Sequence, residues 1–130
     1  MRVMALDYGA ARTGVALSDA TGTIASPLGV VERAGGETGL ARLAELVREN
    51  GVEVVVVGLP LTLRGKRGEQ ARETERFVEA LRAAVDVDVV TFDERFTTAL
   101  AAQTPSAAPE DARAAAHLLS GYLARREGAS

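Results

Sequence analysis

The chain has no cysteine and no tryptophan, a single histidine and an aromatic content of only 4%. Without cysteine there are no disulfides and no thiolate metal sites, so any metal must be held by oxygen or imidazole. So few aromatics leave no platform on which successive bases could stack, the usual device for gripping single strands. There is no excess of positive charge: the formal net charge is −3, against the strongly basic balance of a domain that binds nucleic acid by bulk charge alone. An acidic chain can still hold a polyanion where bound cations and a local basic patch reverse the charge. No apolar run approaches the roughly 20 residues of a membrane span. The first residues enter a strand directly, without the basic region and apolar core of a signal peptide, so a cytoplasmic protein is expected.

What is present is an ordinary globular composition over 130 residues, 47% hydrophobic and 25% charged, enough for one domain over residues 1–130 that buries roughly two thirds of its unfolded surface. Three short strands come first, about Arg2 to Asp7, Gly14 to Ser18 and Ile24 to Val31, separated by turn residues. Gly35-Gly36 breaks the chain before a helix on which Leu40, Leu43, Leu46 and Val47 recur at helical spacing, and Asn50-Gly51 ends it with a left-handed cap. Val52 to Val57 is almost wholly β-branched, as in a central strand covered on both faces. A helix follows from about Glu69 to Ala84 with Ala71, Thr74, Phe77, Val78 and Leu81 on one face. A fifth strand spans Val87 to Phe92, and two last helices run from about Thr97 to Gln103 and Pro109 to Arg126. Hairpins first and crossovers later predict an α/β fold, a mixed five-stranded sheet flanked by helices.

Acidic residues stand at three element ends. Asp7 closes the first strand at a glycine turn, Asp93-Glu94 close the fifth, and Asp111 opens the last helix. Each has an ordinary role available: a turn cap, a helix start, or a complement to a helix dipole. Brought together they would suit Mg²⁺ or Mn²⁺, hard cations that prefer carboxylate oxygen. Along a strand successive side chains alternate, so at most one of Asp93 and Glu94 reaches a common point with Asp7. The loop after Gly58-Leu59-Pro60-Leu61 carries Arg64, Lys66 and Arg67 just before a helix N-terminus, which pairs cationic side chains with unpaired backbone donors for an anion. Arg12 follows the first turn, and Arg95 offers a bidentate grip on phosphate. His117, on an alanine-rich helix, is expected to be packed or at the surface rather than catalytic, and Phe77 and Tyr122 read as core.

Four stretches in order, Leu6-Asp7-Tyr8-Gly9 with Gly14-Val15-Ala16, Val57-Gly58-Leu59-Pro60-Leu61 through Gly68-Glu69-Gln70-Ala71, Asp93-Glu94-Arg95-Phe96-Thr97-Thr98, and Asp111 with Ala114-Ala115 and Leu118-Leu119, resemble the YqgF family, also called RuvX, nearly end to end. The resemblance implies a ribonuclease H-like fold and a metal-dependent nuclease, acting in 5′-end maturation of pre-16S ribosomal RNA or on branched or single-stranded DNA, as a monomer or homodimer. It implies Asp7, Glu94 and Asp111 as catalytic metal ligands for Mg²⁺ or Mn²⁺, with Asp93 as the rival of Glu94, and substrate contacts from Arg12, Arg64, Lys66, Arg67 and Arg95. Pro109-Glu110 stand where the resemblance implies basic residues.

Two other functions compete. Actin-like ATPases and sugar kinases also open on an Asp-x-Gly strand turn, but they need a second such phosphate loop and a second domain. A binding module of the same fold without turnover would keep the shape and not require the acids.

Overall fold

The computed structural model describes residues 1–61, 68–94 and 108–128. Five strands, β1 (Val3–Asp7), β2 (Arg12–Ser18), β3 (Ala25–Glu32), β4 (Val54–Leu59) and β5 (Asp88–Asp93), form one sheet with helices α1 (Glu37–Glu49), α2 (Glu69–Ala84) and α3 (Glu110–Gly128). The strand order is β3-β2-β1-β4-β5. The β1, β2 and β3 strands pair antiparallel, and β4 and β5 run parallel to β1. The mixed sheet expected from hairpins followed by crossovers is therefore the one formed. The helix expected from Thr97 to Gln103 lies outside the described residues.

Alternation along β1 decides the layers. Met4 and Leu6 face a core with Leu43, Leu46 and Val47 of α1 and Phe77, Val78 and Leu81 of α2. Val3 and Ala5 face the other way, onto Ala115, Ala116, Leu118, Leu119 and Leu123 of α3. Val55 and Val57 of β4 join the first core and Val56 the second, which is why Val54–Val57 is apolar at every position. Phe77 is core, stacked on Tyr8 at 4.3 Å between ring centroids. Tyr122 packs half-buried against the second core, edge-on to Phe92.

Several boundaries differ from the sequence expectation, most at β2 and β4. The β2 strand begins at Arg12, because β3 continues to Glu32 and offers it a ladder partner. The β4 strand starts at Val54 and runs through Gly58-Leu59, whose partners on β5 are Phe92 and Asp93. Val52 is buried but outside the ladder. Gly51 does take the left-handed conformation, at φ 61°. Two buried hydroxyls are hydrogen-bonded: the Ser18 hydroxyl accepts the Val3 N–H, and Thr74 donates to the Gln70 carbonyl.

Candidate active site

The side chains of interest gather where β1, β4 and β5 end and α3 begins. Parallel strands that share a direction bring their carboxyl ends to one edge, where open α/β sheets form their crevices. Parity then sorts the acids. Asp7 follows Val3 and Ala5, and Glu94 follows Val90 and Phe92, all on the α3 face. Asp93 follows Val89, which belongs to the core on the other face. Asp7 and Glu94 line one recess with Ala114, His117 and Leu118 of α3.

Two glycines make that recess possible. A Cβ on Gly58 would stand 2.8 Å from Glu94 Oε1 and 3.0 Å from Leu118 Cδ2, so the missing side chain is the space Glu94 occupies. A Cβ on Gly14 would stand 1.7 Å from the Asp111 carbonyl oxygen. Gly14 is the cross-strand partner of Asp7. The start of α3 thus rests directly on the β2 backbone, beside Asp7.

Asp7 and Glu94 share a hydrogen bond, and both are harder to ionise than ordinary carboxyls. Burial is the main cause at Glu94, followed by the charge of Asp7, the bond to Asp7 and the charge of Asp93; together they push it up to about 7. At Asp7 burial raises the pKa most, the bond from Glu94 opposes this, and the charge of Asp111 raises it further. Of the two, Glu94 is the one on which a proton is favoured, and its O–H would then donate to the Asp7 carboxylate. Asp111 lies within electrostatic reach of this pair but is engaged elsewhere: its Oδ2 stands 3.3 Å from Nε of Arg12. Among the described residues, no group of three His, Cys, Asp or Glu side chains is close enough to hold one metal ion.

The donor set nevertheless fits a hard divalent cation. Mg²⁺ needs only one or two carboxylates when water and substrate phosphate oxygens complete its octahedron. Asp7 and Glu94 supply two, pressed together at a cost that a bound cation would relieve.

Of the positions read from the sequence, Asp7 and Glu94 meet, Asp111 stands next to them, and Asp93 turns away. Arg12 is brought to Asp111. Arg64, Lys66, Arg67 and Arg95 lie outside the described residues. His117 is half-buried, in keeping with the sequence expectation, and it lines the same recess as Asp7 and Glu94. The signal was its spacing, since Ala114, His117 and Leu118 follow Asp111 at three-, six- and seven-residue steps on one helix face.

The comparison with known families bears on the same residues. A family model described as "RuvX: Holliday junction resolvase" matches residues 1–125. The chain belongs to the RuvX family. Among curated relatives, a protein of Moorella thermoacetica called "Putative pre-16S rRNA nuclease" is 42% identical over 96% of both chains. A Chloroflexus aurantiacus protein with the same name is 48% identical over 78% of this RuvX chain and 66% of its own length, so the match spans just under two thirds of that relative. Among solved structures, "T. thermophilus RuvC in complex with Holliday junction substrate" aligns with a TM-score of 0.69 at 20% identity, covering 98% of this chain and 96% of that one. At that identity the likeness speaks to the fold, which is the ribonuclease H-like arrangement of RuvC.

Proposed function

We propose that this RuvX chain is a metal-dependent nuclease that hydrolyses phosphodiester bonds at the recess formed by Asp7, Glu94 and the start of α3. The observation that carries this is the Asp7–Glu94 pair, two carboxyls from separate strand ends brought together in one recess. Carboxyls made harder to ionise by burial and by each other, gathered in a cleft, favour a functional site. The family description and the names of the relatives support the same chemistry.

Asp7 and Glu94 are the first candidates to hold Mg²⁺ or Mn²⁺, with Asp111 completing the acidic set. Bound divalent cations in such a site activate water and stabilise the leaving oxygen of the phosphodiester. Arg12 faces the approaching strand, and Arg64, Lys66, Arg67 and Arg95 supply the remaining cationic contacts. The relatives' names make the precursor of 16S ribosomal RNA the leading substrate, with branched DNA second on the family description. Among the described residues no helix is long and apolar enough to cross a membrane.

The test is cleavage of matched single-stranded RNA, single-stranded DNA and four-way junctions with Mg²⁺, Mn²⁺ or EDTA. Asp7→Asn is purified identically beside the unaltered protein. Cleavage that needs metal and falls more than about 100-fold in the variant is expected, since even outer partners of a metal are worth 10–100-fold. Equal cleavage by both proteins, or binding without cleavage in every condition, would favour a module without turnover.

A further inference from the structure

We propose that Arg12 is a positioning residue that holds Asp111 away from the acidic pair until a phosphate displaces it, so that substrate arrival completes the metal site. This rests on the nuclease reading above and deepens it. Three observations carry it. Arg12 Nε stands 3.3 Å from Asp111 Oδ2. Asp7 and Glu94 line one recess, and with Asp111 paired to Arg12 no three-ligand group forms among the described residues. The Arg12–Asp111 pair is also open to solvent, with side-chain exposures of 66% and 36%.

That exposure matters because an open ion pair contributes little to folding. A weak pair is poorly explained as a structural brace and well suited to exchange. The backbone of Asp111 meanwhile packs directly on the main chain at Gly14. Only the carboxylate needs to swing. A guanidinium prefers a bidentate phosphate to a single carboxylate contact, and a carboxylate so released faces a cation bound by Asp7 and Glu94. The same arginine thereby weakens metal binding in the free protein and favours it in the complex.

The experiment measures Mn²⁺ affinity by electron paramagnetic resonance of the free ion, without nucleic acid, for the unaltered protein, Arg12→Met, Asp111→Asn and the double variant. Arg12→Met is expected to bind Mn²⁺ up to about fivefold more tightly, the most that an exposed pair is worth. In the Asp111→Asn background the same change is expected to do nothing, because its effect runs through Asp111. Loss of a nearby positive charge alone would tighten Mn²⁺ binding in both backgrounds, and that outcome overturns the proposal. So does equal affinity of the unaltered protein and Arg12→Met. Adding a phosphorothioate RNA oligomer or four-way DNA junction that the protein binds is expected to tighten Mn²⁺ binding in the unaltered protein and not in Arg12→Met. Tightening in neither protein, or equally in both, also overturns it. Absence of Mn²⁺ binding in every protein and condition would instead remove the nuclease reading itself. Unfolding midpoints of all four proteins report whether the fold is intact.

Discussion

Replacing Glu94 by Gln is expected to make the metal-free protein more stable at neutral and alkaline pH while removing its activity. Glu94 has its pKa pushed from 4.5 up to about 7 by burial and by Asp7. Between those values the folded chain holds a proton that the unfolded chain has released, so stability falls as pH rises through that window. Above it the full penalty applies, about 3.4 kcal/mol for a wholly dry group. Because Glu94 is only half-buried, solvent screening leaves roughly 1–2 kcal/mol. A glutamine amide is neutral at every pH and can donate to Asp7 as the protonated acid does. The gain corresponds to about 3–8 °C in midpoint for a chain of this size. The assay is thermal unfolding in EDTA at about pH 8 and about pH 5, where the gain should shrink because Glu94 is then protonated in the folded state. Mg²⁺ should stabilise the unaltered protein more than the variant, since a cation relieves a repulsion the variant lacks. A variant less stable at about pH 8, or a gain independent of pH, would refute the account of why these carboxyls are perturbed.

Other substitutions separate backbone space from side-chain chemistry. Gly14→Ala places its Cβ against the Asp111 carbonyl, a backbone atom that cannot turn aside; a cost of about 3 kcal/mol or more is expected in urea unfolding. Gly58→Ala meets side-chain atoms of Glu94 and Leu118 instead, so the cost should be about 1–2 kcal/mol while cleavage falls far more than stability does. His117→Ala is expected to lower cleavage roughly tenfold or more, as loss of a group lining a metal site does, with a stability change of about 1 kcal/mol or less. Unchanged cleavage by that variant would return His117 to a packing role.

The order of elements, the two-faced sheet and the positions of Asp7 and Asp111 were legible because hydrophobic period and turn residues carry them directly. Helix α2 follows the expected Glu69–Ala84 span, since an apolar face and a preceding glycine define it. The choice between Asp93 and Glu94 was half legible. Alternation says that they diverge, but which one reaches the site depends on knowing that Val90 and Phe92 face α3. Strand ends were less legible, because Arg12 joins the ladder only when Glu32 is there to pair with it. The ion pair of Arg12 with Asp111 joins residues about a hundred positions apart, and nothing local in either segment foretells it. The half-burial of His117 was legible from its helix, but that it lines the recess of Asp7 and Glu94 could not be read without its neighbours.

The contact of Gly14 with the Asp111 carbonyl has a consequence for how this fold tolerates change. Asp7 is fixed to Gly14 by strand register, and Gly14 is fixed to Asp111 by touching main chains, so main-chain contact rather than side-chain volume sets the separation of the two acids. Substitutions among Val3, Ala5, Ala115 and Leu119 would therefore alter how firmly the layers adhere before altering how far apart the acids stand. Interior substitutions then cost stability before they change the spacing that the chemistry needs.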